Sequence, residues 1–191
     1  MTWKNDQVSA LETEYIMNIA RECLEVTGDY IELGCYKGDT SLLLAEILKN
    51  SDSDKKLWIY DSFEGLPRKT LEDESVLGKD FQSGELAITK REVKERFLRA
   101  GLKVPVIKKG WFADFSDRDV PKTIAFSFLD GDFYESIRDG LRLIDDKMPP
   151  GAVLLIHDYN NPALPGVGKA VKEWAGERKI DTYESLAVVR F

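Results

Sequence analysis

The sequence predicts an α/β protein: one doubly wound, mostly parallel sheet of seven strands, with an antiparallel hairpin at its C-terminal edge. Three observations predict it. Short apolar runs alternate with amphipathic helical patterns from Tyr30 to the end of the chain, the signature of strands joined by crossover helices. Residues 123–129 are almost continuously apolar, as a central parallel strand buried on both faces must be. The last two strands lie too close together for a parallel crossover, which needs about a dozen residues, so they pair as a hairpin.

The elements follow in order. Residues 9–26 read as a helix. Ser9 caps it, Glu12 stands at capping-box spacing, and Leu11, Tyr15, Ile16, Ile19, Ala20 and Cys23 form its apolar stripe. Gly28 and Asp29 turn the chain into a first strand, 30–33. Gly34 and Gly38 then shape a turn that allows close backbone approach. The helix from about Thr40 to Lys49 takes its cap from Asp39, Thr40 or Ser41. A solvated loop, 50–56, leads to a second strand, 57–60, with Asp61 at its carboxyl end. Residues 62–88 read as a long flap, part helical, that carries Leu71, Val76, Leu77 and Phe81; a plain surface loop is the alternative.

Thr89, with Glu92 at the third position, caps a helix to about Ala100, and Gly101 stops it. The third strand, 104–109, starts awkwardly at Pro105 and ends before Gly110, Trp111 and Phe112. The fourth strand, 123–129, ends in Asp130-Gly131-Asp132. A helix over 135–146 and a turn over 148–151 precede the fifth strand, 152–156, which ends in His157-Asp158-Tyr159. A helix over 166–177 carries Val167, Ala170, Val171 and Trp174 on one face. Tyr183 and residues 185–191 complete the sheet.

At 191 residues, the chain suits a single domain, 1–191. Its 43% hydrophobic and 32% charged residues describe a soluble globular protein. No apolar run reaches the roughly 20 residues that span a bilayer, and the N-terminus lacks a signal-like apolar core; a cytoplasmic protein is expected. Cys23 and Cys35, without C-x-x-C spacing, read as reduced thiols. The 34 acidic against 27 basic residues give a net charge of −7, which argues against a nucleic-acid surface. A small molecule is the expected partner.

Acidic residues gather at predicted strand ends, where open α/β sheets bind ligands. Glu32 interrupts an apolar strand, and its burial is costly unless a cationic ligand partners it. Asp61 is placed to accept from a ribose diol, or else caps the next turn. Asp130, Asp132, His157 and Asp158 could cage a divalent cation, Mg²⁺ if oxygens dominate. His157, the only histidine, is a softer ligand than Mg²⁺ prefers and serves alternatively as a general base. Trp111 either stacks on a purine or fills core. Only Gly34 and Gly38 are present, so the dinucleotide pattern G-x-G-x-x-G is not met.

Four segments carry a resemblance: 28–34 with Lys37-Gly38; Asp61-Ser62-Phe63-Glu64-Gly65-Leu66-Pro67; 129–136; and His157-Asp158-Tyr159 with Pro165-Gly166-Val167. They resemble class I S-adenosylmethionine-dependent methyltransferases of Rossmann-like fold, more narrowly the macrocin O-methyltransferase family. The resemblance implies an O-methyltransferase acting on a hydroxyl of a small molecule such as a sugar. It implies that Glu32, Gly34, Gly38 and Thr40 surround the methionine part of S-adenosyl-L-methionine. Asp61 would hold the ribose hydroxyls, and Ser62, Trp111 and Asp130 would complete the cofactor set. Asp130 and His157 would be catalytic. Asp130, His157 and Asp158 stand where the family places metal-binding groups, and the histidine puts Mg²⁺ in doubt. Two other readings stay open, a metal-dependent hydrolase using this cluster and a non-catalytic cofactor-binding protein. Monomer and homo-oligomer are both open.

Overall fold

The computed structural model describes residues 5–77 and 81–191. Its strands are β1 (Asp29–Leu33), β2 (Leu57–Asp61), β3 (Val106–Lys109), β4 (Ile124–Leu129), β5 (Val153–Ile156), β6 (Asp181–Tyr183) and β7 (Leu186–Arg190). Its α-helices are α1 (Ala10–Glu22), α2 (Asp39–Asn50), α3 (Lys90–Arg99), α4 (Tyr134–Ile144) and α5 (Pro165–Ala175). The strands make one sheet in the order β3-β2-β1-β4-β5-β7-β6. β1 to β5 run parallel, and β7 lies antiparallel between β5 and β6. The winding direction reverses between β1 and β4, so the crevice at the carboxyl ends of those two strands is the switch point where such sheets take ligands.

Side-chain alternation builds the two cores. Tyr30, Ile59, Phe126 and Phe128 face α1, α2 and α3, where Ile16, Leu42 and Phe97 meet them. Ile31, Leu33, Leu129 and Ile156 face α4 and α5, against Ile137, Leu141, Val167 and Val171. All six residues of β4 are buried. Both expected capping boxes form, Ser9 with Glu12 on α1 and Thr89 with Glu92 on α3.

Several boundaries differ from the sequence reading. α1 stops at Glu22, and Cys23–Glu25 is a separate 3₁₀ turn. Leu11, expected on the apolar stripe, is 56% exposed. Pro105 delays β3 to Val106. None of Asp39, Thr40 and Ser41 caps α2; Gly38 occupies the cap with φ 77° and offers no side-chain cap. Among its described residues the segment after β2 is irregular apart from one 3₁₀ turn, Leu71–Asp73. It is pinned where Leu66 N–H donates to Glu85 O at 2.8 Å and Gly84 N–H to Leu66 O at 2.9 Å. Residues 78–80 of the expected flap lie outside the described residues. Among the described residues no helix is long and apolar enough to cross a membrane.

Candidate active site

Backbone hydrogen bonds carry the sheet one residue past its strands. Gly34 N–H donates to Tyr60 O at 2.8 Å, Asp130 N–H to Leu33 O at 2.8 Å, and His157 N–H to Leu129 O at 2.9 Å. The chain positions that follow β1, β4 and β5 therefore stand level. Above them opens a cavity of about 430 Å³, a size suited to a small ligand. Glu32, Gly34, Thr40, Asp61, Ser62, Trp111, Asp130, His157 and Asp158 all line it. Gly38, also expected at the site, does not; it is the α2 cap. Gly34 has φ 86°, and a Cβ there would lie 1.9 Å from Asp130 O, so only glycine lets β1 and β4 close up at this level.

Glu32 is 1% exposed and has one hydrogen-bond partner, the Ser41 hydroxyl. Among the described residues no cation is paired with it. Burial drives its pKa well above the ordinary carboxylate value, the carboxylates of Asp130, Asp61 and Asp39 push it further, and Ser41 opposes them. A buried acid of this kind suits a cationic ligand. The sign of the pH effect follows. The unfolded acid ionises at its ordinary value while the folded one stays protonated, so this group's contribution to stability falls as pH rises from the unfolded towards the folded pKa. A cation that binds the ionised form expels the proton. S-adenosylhomocysteine, with its ammonium group, should therefore release protons on binding and bind more tightly as pH rises across that window. Calorimetry in two buffers of different ionisation enthalpy measures the release, and Glu32→Gln should abolish it.

Asp61 shapes the turn after β1. Its Oδ2 accepts from Cys35 N–H at 2.9 Å and Tyr36 N–H at 3.2 Å, and its Oδ1 accepts from Phe63 N–H at 2.7 Å. Ser62 is spent within its own turn: its hydroxyl donates to Gly65 O at 3.0 Å and accepts from Glu64 N–H at 3.0 Å. Because α2 has no side-chain cap, the N–H groups of its first turn stay available beside the cavity. Asp39 turns to Arg96 at 2.6 Å instead, and Thr40 Oγ1 accepts from Asn5 Nδ2 at 2.9 Å. Asn5 itself lines the cavity. No periodicity or motif in the sequence marks it; it arrives through tertiary contact alone.

On the far side stands a charged cluster. His157 Nδ1 lies 3.1 Å from Asp130 Oδ1 and 3.3 Å from Asp158 Oδ2, and Nε2 lies 3.9 Å from Glu12 Oε2 on α1. Burial opposes protonation of the ring, but Asp130, then Asp158 and Glu12, raise its pKa well above the usual imidazole value. The expected metal set is thus brought together, with one nitrogen among its donors. Mg²⁺ takes oxygen ligands in a near-ideal octahedron at about 2.0–2.1 Å, and an imidazole whose two nitrogens both face carboxylates does not suit it. Asp132, expected from the sequence only as a member of a cation cage, stands beside this cluster. It lines the cavity, holds φ 59°, and has its pKa pushed up first by burial and then by Asp130 and Asp158. The string Asp130-Gly131-Asp132 was visible, and both of its acids line the cavity.

A doubly wound sheet in the order β3-β2-β1-β4-β5-β7-β6 with β7 antiparallel is the class I methyltransferase fold. Residues 9–186 match the family model described as Macrocin-O-methyltransferase (TylF), and the chain belongs to that family. It is similar to an 8-demethyl-8-(2,3-dimethoxy-alpha-L-rhamnosyl)-tetracenomycin-C 4'-O-methyltransferase of Streptomyces olivaceus, 31% identical over 157 residues, covering 79% of this chain and 59% of that one. The chain thus spans less than two thirds of that relative. It is 28% identical over 207 residues to a demethyldecarbamoylnovobiocin O-methyltransferase of Streptomyces niveus, covering 98% of this chain and 74% of the relative. In fold it resembles the O-methyltransferase NovP, with TM-score 0.79, 24% identity, and coverage of 96% of this chain and 80% of that one.

Proposed function

We propose that the protein transfers a methyl group from S-adenosyl-L-methionine to a hydroxyl of a small molecule, a sugar or a glycosylated natural product. One observation carries the reading: Glu32, a buried acid with no cationic partner among the described residues, opens into the same cavity as Asp61 and Asp130. Gly34, the free N-terminus of α2 and Asp61 fit the cofactor around it. The net charge of −7 supports a small acceptor over nucleic acid. The two buried, unpaired cysteines accord with a cytoplasmic location.

The mechanism assigns work to this chain's residues. When bound, the cofactor supplies a methyl group activated by its sulfonium. Glu32 balances the ligand's positive charge, and Asp61 keeps acceptor capacity on Oδ1 for a ribose hydroxyl. In its ionised form Asp132 takes the acceptor's proton as the oxygen gains its methyl; burial raises its pKa, so this form grows as pH rises. His157 is a poor base here, because neighbouring carboxylates hold its proton; it instead ties Asp130, Asp158 and Glu12 together.

Calorimetry with S-adenosylhomocysteine tests the whole reading; failure to bind at millimolar ligand would reject it. The donor set around His157 also supports a transfer that needs no Mg²⁺ and disfavours the hydrolase reading. Turnover should survive EDTA within about twofold, and Mg²⁺ titrated to millimolar concentrations should give no binding heat. A turnover that collapses in EDTA and returns with Mg²⁺ would overturn this part alone.

A further inference from the structure

We propose that Asp73 is a positioning residue that locks the segment after β2 onto the proton-accepting turn between β4 and α4. Asp73 is 1% exposed, although it lies in a stretch that reads as loop. Its Oδ1 accepts from Tyr134 N–H at 2.7 Å. Its Oδ2 accepts from Thr70 N–H at 2.9 Å and from the Thr70 hydroxyl at 2.8 Å. Tyr134 is the first residue of α4, whose own cap position, Phe133, supplies no side-chain acceptor. A carboxylate from 61 residues earlier in the chain therefore caps the helix.

The consequence reaches the site because only Asp130-Gly131-Asp132-Phe133 separates β4 from that helix. Asp132 sits in this link at φ 59°, and Phe133 N–H closes it on Gly131 O at 2.7 Å. Aspartate tolerates a left-handed backbone better than most residues, and the fixed ends of the link hold it there. Fixing Tyr134 fixes one end of the link, and the sheet fixes the other.

The start of α5 closes on the same carboxylate. A Cβ on Gly166 would lie 2.0 Å from Asp73 Oδ1, so the absent side chain is what admits Asp73. Two neighbours of Asp73 fasten the segment further. The Ser75 hydroxyl donates to Pro162 O at 2.9 Å, and Glu72 pairs with Lys169 at 3.4 Å. Residues 70–75 are thus a wall held by the beginnings of two helices, not a free flap. The importance of this lock for methyl transfer rests on the role given to Asp132 above.

Hydrogen exchange read by mass spectrometry tests the lock without knowledge of the acceptor. In Asp73→Ala, amides over 130–137 should exchange about tenfold faster or more, as a local opening unit does, while 28–42 keeps its protection. Asp73→Asn, which retains one oxygen for Tyr134 N–H, should restore most of the protection. Gly166→Ala keeps the carboxylate but crowds it out, and should reproduce the alanine pattern. S-adenosylhomocysteine affinity should stay within about twofold in each variant. Unchanged exchange over 130–137 in both Asp73→Ala and Gly166→Ala overturns the proposal. So does a rise spread evenly over the chain, which would mark a general loss of stability. Failure of the unaltered protein to bind S-adenosylhomocysteine would sink the methyltransferase reading and leave the exchange result standing.

Discussion

Asp132→Asn should slow methyl transfer by about 10²–10⁴-fold, the loss expected when a positioned general base is removed. Asparagine has nearly the same shape and tolerates the left-handed backbone that Asp132 adopts at φ 59°, so the turn should persist. What disappears is a group able to take a proton. In the proposed mechanism Asp132 is the base at the mouth of the reaction site. It lines the cavity, and burial beside Asp130 and Asp158 raises its proton affinity. Single-turnover rates with labelled cofactor would measure the loss, and calorimetry with S-adenosylhomocysteine would show affinity little changed. A variant that keeps its rate within tenfold of the parent would remove Asp132 from the chemistry and return attention to His157.

The sheet was legible because its signals are local. A strand buried on both faces must be apolar throughout, and residues 124–129 are all buried. The boxes at Ser9 and Thr89 need only a residue and its third successor. The start of α2 departs from its local pattern for the opposite reason. Three polar residues stand at that start, and each has been drawn away by a partner elsewhere: Asp39 by Arg96, Thr40 by Asn5, and Ser41 by Glu32. No local pattern announces such recruitment. The cap fell to Gly38, whose left-handed backbone needs no side chain.

The candidate site divides along the same line. Strand ends can be read from periodicity, and in an open α/β sheet those ends point at the ligand. That places Glu32, Asp61, Asp130 and His157 on one rim without any knowledge of tertiary contact. Gly38 fell outside because a turn glycine can serve the backbone alone. Asn5 and Asp73 were invisible because each acts far from its place in the chain, one upon Thr40 and the other upon Tyr134. The charge state of His157 was also beyond reach. It depends first on Asp130, then on Asp158, and also on Glu12, a helix residue whose capping role was plain and whose second role was not.

Asp61→Ala should cost the protein both its ligand and a large part of its stability. The carboxylate takes three backbone N–H groups, from Cys35, Tyr36 and Phe63. Hydrogen bonds to a charged group contribute about 1.5–3 kcal/mol each. The bonds share one carboxylate that is only partly buried, so their sum is discounted to about 3–5 kcal/mol, still a large share of the roughly 5–15 kcal/mol that holds a typical fold. Tyr36 adds to the expectation: its φ of 44° is a left-handed conformation that a tyrosine adopts only under constraint, and Asp61 grips its N–H. Alanine would leave three donors in search of partners and free the turn that lies between Glu32 and α2. The urea midpoint should fall, and S-adenosylhomocysteine binding should drop below detection even where the variant is fully folded. Asparagine, which offers an NH₂ where Cys35 and Tyr36 need an acceptor, should fall between alanine and the parent. An alanine variant with unchanged midpoint and unchanged affinity would reduce Asp61 to a turn residue, and the claim that one acid both shapes the glycine turn and faces the cofactor would fail.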